Sequence, residues 1–226
     1  MSASLPARDL LDVRLSAAID VGGCPLCVVR ERAERGMLDT TIAERVLDLG
    51  FRAGLERDHG FCRRHVAELL VTDRRSSGIL GSSILYGAML ERRLGAIREA
   101  LATRGARRRR GRLIDAARRP GCLVCGEGAK AVDVAAGRLT ERMADPDWAA
   151  AAAALPFCLD DLVLFLVASA EQPAAGPVIE AQLARLDDLR IRLEGYAYHS
   201  AQDRRHLLTD EERAAADEAS RVLGGD

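Results

Sequence analysis

Six cysteines, set out twice in one pattern, constrain this 226-residue chain more than any other feature. Gly23-Cys24-Pro25-Leu26-Cys27 is followed by Phe61-Cys62-Arg63-Arg64-His65, and Gly121-Cys122-Leu123-Val124-Cys125 by Phe157-Cys158-Leu159-Asp160-Asp161. The first cysteines of the two sets, 24 and 122, lie 98 residues apart, and the third ones, 62 and 158, lie 96 apart. Each set has Gly before its first Cys, Phe before its third, an apolar segment after that (Val66–Val71 and Leu162–Val167), and then a long helical pattern. An internal repeat decides a fold before any local reading does. The expected architecture is a tandem duplicated helical unit: a first zinc-binding unit at 1–104, an Arg-rich linker at 105–119, and a second unit with an altered metal cluster at 120–226.

The ligand chemistry follows from residue types and spacing. A Cys-x-x-Cys turn presents two thiolates from one bend, and a Cys-x-x-His at a helix start presents two more ligands on one face. Grouped by closeness in sequence, Cys24, Cys27, Cys62 and His65 have the composition of a closed Cys₃His zinc site. By the same grouping Cys122, Cys125 and Cys158 form the second cluster, with Asp161 where the first has His65. Three thiolates and a carboxylate leave a divalent ion two negative charges in excess, so the second site is expected to be the weaker, with Arg118 and Arg119 as compensating charges. Its fourth place is open to Asp161, Asp160, His199, His206 or water. His59 reads as an outer-shell or solvent-facing residue, and His199 and His206, seven apart, as surface residues sharing a helix face.

The remaining pattern is helical. Segments around 6–19, 25–56, 62–72, 77–103, 127–143, 158–170, 177–206 and 210–223 are rich in Ala, Leu, Arg and Glu, with no alternating β-branched run. An all-α protein is predicted. Tyr86, Leu90, Leu94, Ile97 and Leu101 recur at three- and four-residue steps, as do Ile179, Leu183, Leu186, Leu189, Leu193 and Tyr196; both stripes read as core-facing. Thr209 and Glu212 have capping-box spacing. The apolar stretch from Trp148 to Ala170 is broken by Pro156, Asp160 and Asp161 and reads as buried helices, not a membrane span. Between the two units, residues 104–119 carry eight arginines and one acid, with Gly105 and Gly111 opposing one continuous helix. A solvated linker is expected there. Nucleic-acid binding through it is the lesser alternative, since no aromatic is interleaved for base stacking.

Composition narrows the functional classes. With 33 basic against 34 acidic residues the net charge is −1, which opposes wholesale polyanion binding. Charge at Arg8 and Asp9 interrupts the N-terminus before a signal core forms, which points to the cytoplasm, where clustered cysteines are metal ligands or redox groups rather than disulfides. Paired catalytic carboxylates, a His-Glu-x-x-His helix, a phosphate-binding Gly-Lys-Ser loop and a dinucleotide fingerprint are all missing, so an enzyme is the less favoured class. The leading expectation is a non-enzymatic, zinc-stabilised interaction or regulatory module with an unknown protein partner. A thiol/zinc redox switch is the alternative.

Gly-Cys-Pro-Leu-Cys, Gly-Phe-Cys-Arg-Arg-His, Gly-Ser-Ser-Ile-Leu-Tyr-Gly-Ala-Met-Leu, the second Cys-x-x-Cys and Cys-Leu-Asp-Asp together resemble an uncharacterised prokaryotic family of helical proteins with two Cys-x-x-Cys/Cys-x-x-His clusters. The resemblance spans about residues 20–200 and implies metal binding without a known activity. In that family the second cluster usually ends in Cys-x-x-His as well, and this chain departs from it at Asp161.

Overall fold

The computed structural model describes residues 5–55, 60–76, 78–117 and 121–224. Among them are eleven α-helices and no strand, so the chain is all-α as predicted. In chain order these are α1 (Leu10–Val21), α2 (Pro25–Thr40), α3 (Leu49–Gly54), α4 (Arg63–Ser76), α5 (Leu80–Ala102), α6 (Ala106–Ala117), α7 (Leu123–Arg142), α8 (Pro146–Ala154), α9 (Leu159–Ala168), α10 (Gly176–His199) and α11 (Asp210–Gly224). A π-helical turn, Thr41–Arg45, follows α2. No helix among the described residues is long and apolar enough to cross a membrane.

The chain forms two compact units, but they do not divide it front from back. Unit 1 is Met1–Glu31 together with Lys130–Asp226, and unit 2 is Arg32–Ala129. The divisions therefore fall inside α2 and inside α7. This differs from the 1–104 and 120–226 units expected from the repeat.

Unit 1 is built on Leu15, Ile19, Leu26, Val132, Leu139, Trp148, Phe157, Leu162, Phe165 and Val178, all buried in one cluster. Asp9 caps α1 by accepting from the N–H groups of Leu11 and Asp12 at 3.0 and 3.1 Å. Asp12, fully buried, accepts from Arg142, whose guanidinium lies 5.5 Å from the Trp148 ring centre. The Trp148 indole in turn donates to the Pro6 carbonyl at 3.0 Å. α10 organises the approach to α9: Gln182 donates to the carbonyls of Ala152 and Leu155 at 3.2 and 2.8 Å and accepts from Phe157 N–H at 3.3 Å. Arg185 donates to the free carbonyls of Ala153 and Ala154 at the end of α8. The capping box is present, with Glu212 N–H donating to Thr209 Oγ1 and Thr209 N–H to the Glu212 carboxylate, both at 3.1 Å.

Unit 2 packs Leu38, Val46, Leu55, Phe61, Leu69, Leu85 and Val124 together. Buried Asp73 at the end of α4 accepts from both the N–H and the hydroxyl of Ser82, at 2.6 and 2.8 Å, which fixes the start of α5. A Cβ at Gly81 would lie 3.1 Å from Val46 Cγ2 and 3.2 Å from Asp73 Oδ1, so glycine allows this close approach.

Two sequence expectations are corrected here. The Arg-rich run is helical: Ala106–Ala117 form α6, which packs on α5. Gly105 sits before the helix at φ +88°, and Gly111 alone is too small a penalty to break a segment of strong helix formers. The second correction concerns the apolar stripe of α5. The buried positions are Gly81, Ser82, Leu85 and Ala100, whereas Leu90, Leu94, Ile97 and Leu101 are 60, 47, 40 and 55% exposed. Periodicity shows that a helix has an apolar side; it does not show that another element covers it. On α10 the buried positions are Val178, Gln182 and Leu189, while Leu183 and Tyr196 are exposed.

Candidate metal centres

All eight predicted ligands come together, in two groups of four whose ligand atoms lie within 4.8 Å of one another. The groups are not those of closeness in sequence. Cys24 and Cys27 meet Cys158 and Asp161, and Cys62 and His65 meet Cys122 and Cys125. The expected sets, Cys24/Cys27/Cys62/His65 and Cys122/Cys125/Cys158/Asp161, are therefore replaced by crossed ones. The reason lies in the helices that follow each Cys-x-x-Cys. From Cys27 the chain continues as helix to Thr40, about 20 Å at 1.5 Å per residue, and from Arg32 onward it belongs to unit 2. From Cys125 it continues as α7 into residues of unit 1.

The first centre lies wholly in unit 1. Cys24 immediately precedes α2 and Cys27 is in its first turn; Cys158 is the N-cap of α9 and Asp161 is in its first turn. Both pairs thus sit at helix N-termini, where the backbone dipole favours negative groups. Gly22 and Gly23 adopt φ of +81° and +76°, conformations open to glycine, and turn the chain from α1 into the knuckle. Sγ of Cys158 is 3.9 Å from that of Cys24 and 3.5 Å from that of Cys27. Asp161 Oδ2 is 3.4 and 3.2 Å from the same two sulfurs. Its other oxygen, Oδ1, pairs with Arg30. The compensating charge is therefore Arg30, one helical turn beyond Cys27; the expected Arg118 and Arg119 lie outside the described residues.

The second centre lies wholly in unit 2. His65 Nδ1 faces all three sulfurs, at 3.3 Å from each of Cys62, Cys122 and Cys125, and the Cys62–Cys125 Sγ separation is 3.8 Å. His65 is fully buried. Its Nε2 is 3.4 Å from the Glu34 carboxylate and 3.5 Å from that of Glu68. Glu34 also pairs with Arg64. The Arg64 guanidinium lies closer still, 2.9 Å from Nε2, so this edge of the ring faces a cation and two carboxylates. With a metal on Nδ1, Nε2 would carry the proton, and Glu34 and Glu68 are the carboxylates within reach to orient the imidazole. Replacing Glu34 by Ala is expected to weaken metal binding at this centre by about 10- to 100-fold and leave the other unchanged, as read by chelator competition. Sequence spacing could not single out Glu34 or Arg30, because a helix surface carries many such charges.

Both centres are tied to their cores in the same way. The residue just before the second cysteine of each knuckle, Leu26 or Val124, and the Phe before the third cysteine, Phe157 or Phe61, are buried in the core of that unit. The apolar residues shared by the two sequence sets are thus the anchors that aim the ligands. His199 is elsewhere, 3.0 Å from Glu212, so it is not the fourth ligand of the carboxylate centre; His59 lies outside the described residues.

No cysteine is in a disulfide. Crowding shifts the thiols in opposite directions. Contact with Cys158 and then Cys27 lowers Cys24 to about 2, while contact with Cys24 raises Cys158 to about 12. Contact with Cys158 and then Cys24 pushes Cys27 up as well. Burial, followed by the Cys24 charge, raises Asp161 above the usual carboxylate range. Desolvation and then Cys122 raise Cys125 to about 12. Each cluster concentrates more potential negative charge than it can ionise unaided, and a cation relieves that.

The chain belongs to DUF6062, a family of unknown function whose model matches residues 8–136. The matched segment contains every ligand of the His65 centre and the Cys24/Cys27 half of the other. No curated protein and no solved structure matches the chain.

Proposed function

We propose that this DUF6062 protein is a zinc-stabilised helical module, with one structural ion in each unit and an interaction role in place of catalysis. One observation carries the reading. For zinc–sulfur bonds of about 2.3 Å a tetrahedron has sulfur–sulfur edges of about 3.8 Å, and zinc–nitrogen or zinc–oxygen bonds of about 2.0 Å give mixed edges of about 3.5 Å. Cys158 lies 3.9 and 3.5 Å from Cys24 and Cys27 and Cys62 lies 3.8 Å from Cys125, sulfur to sulfur, while the mixed separations are 3.2 to 3.4 Å. Thiolate-rich sets suit a borderline-soft ion, and four protein ligands leave no open position for hydrolytic chemistry. Zinc would hold each unit closed by joining segments far apart in the chain. Reduced thiols serving as ligands fit a reducing compartment such as the cytoplasm.

Metal analysis of protein purified under reducing conditions is expected to give two zinc per chain. A metal-free, folded protein would overturn the reading. The second reading, a thiol redox switch, is favoured by Cys125, which is exposed beside Cys62. Hydrogen peroxide would take two electrons from that thiolate pair and two protons from solvent, forming a Cys62–Cys125 disulfide and two waters and releasing one ion. The structural reading expects both ions to stay bound at peroxide levels that oxidise a free thiol.

A further inference from the structure

The exposed seam of α5 has a use that metal binding does not supply. Leu90, Leu94, Ile97 and Leu101 follow steps of four, three and four, the a/d pattern of a helix that pairs with another helix. They fall within one narrow stripe about 16 Å long, roughly three turns. Arg93 and Arg98 flank it in the neighbouring heptad positions and are exposed, as is Glu91 in a further flanking position. α6 extends the same chemistry: a shallow cavity of about 410 Å³ lies over Ala106, Arg109, Arg110, Leu113 and Ile114, and Ile114 is 51% exposed. From 90 to 115 the sequence holds nine arginines against three carboxylates. None of these arginines is in an ion pair among the described residues.

From this we infer that α5 and α6 form a docking surface for an acidic amphipathic helix of a partner protein, with leucine-type residues along its seam and Glu or Asp at its flanks. Charge complementarity selects this occupant. A second copy of the chain would bring together two surfaces of net positive charge, nine arginines against three carboxylates on each, which opposes self-association here. Nucleic acid would satisfy the arginines but would place phosphates over four exposed aliphatic side chains, and no aromatic between 87 and 117 offers a stacking face. A lipid surface calls for a broad apolar face with anchoring aromatics, and this stripe is narrow. The inference rests on the reading of the chain as an interaction module, not on which metal it holds.

The test uses the intact, metal-loaded chain and a fluorescein-labelled synthetic helix of about three heptads, with Leu at a and d and Glu at e and g. Saturable binding is expected, and a control peptide of the same composition in scrambled order should not bind. Leu94→Glu with Ile97→Glu, and separately Arg93→Glu with Arg98→Glu, should each weaken binding about tenfold or more. All four side chains are exposed, so helicity and metal content should be unchanged, which separates a failed surface from a failed metal reading. The arginine-reversed variant should also prefer a peptide with Lys at e and g. Equal binding of ordered and scrambled peptides, or no change in both variants, would overturn the proposal. So would tighter binding to phosphatidylglycerol vesicles or to a single-stranded oligonucleotide through the same residues.

Discussion

Replacing Cys62 and Cys122 together by serine is expected to remove one zinc ion, not two. Both residues serve the His65 centre, so once one is gone the second substitution has little left to remove. Cys24→Ser with Cys62→Ser should remove both ions, because those residues belong to different centres. Grouping by closeness in sequence requires the reverse result for each pair. Zinc content by atomic emission, with each single variant as a reference, decides between them, and a two-ion loss from Cys62→Ser/Cys122→Ser would sink the crossed arrangement.

Stripping the ions should unfold or loosen both units, because binding energy at a structural site is folding energy, on the order of 10 kcal/mol per zinc at neutral pH. Trp148 offers a local reporter. It is the only tryptophan, fully buried in the unit 1 core with Phe157 and Leu162, which adjoin the candidate ligands Cys158 and Asp161 respectively. A strong chelator should shift its emission to the red, and Cys158→Ser alone should do the same. Cys125→Ser removes a ligand of the other unit and should move Trp148 far less. The pH dependence has a definite sign. In the metal-free fold Cys158 and Cys125 are raised to about 12, so each ion must displace protons to bind. Affinity therefore rises with pH, acid releases the ions, and zinc uptake in weak buffer should acidify it. An emission spectrum unchanged by chelation would show that the core of unit 1 holds without its metal.

Much of this was legible in the chain. The helices follow from strong helix formers and a lack of alternating runs, and the candidate ligands follow from type and spacing, with Asp161 one of several choices for its place. The helix start at Cys62 follows from a Cys-x-x-His at the head of a helical run, while the Phe before each third cysteine was legible as a shared feature but not as the core anchor it proves to be. The α5 stripe was legible as an apolar face but not as an exposed one, because periodicity reports which side of a helix is apolar and says nothing of the neighbour. Arg30 and Glu34 were invisible for a related reason, since their roles depend on a carboxylate and an imidazole delivered by distant segments.

The sequence by itself determined most of the chemistry of the two centres: three thiolates and an imidazole in one, three thiolates and an open fourth place in the other, each assembled from a Cys-x-x-Cys knuckle and a helix start. That Asp161 takes the open place came from the structure. Only the tertiary structure decided which knuckle meets which helix start. The two knuckles are chemically equivalent, so ligand type and spacing score the direct and crossed pairings alike. What separates them is the path of the chain: residues from Arg32 on α2 pack into unit 2 and those from Lys130 on α7 into unit 1, and each centre closes with the partner segment that shares its core.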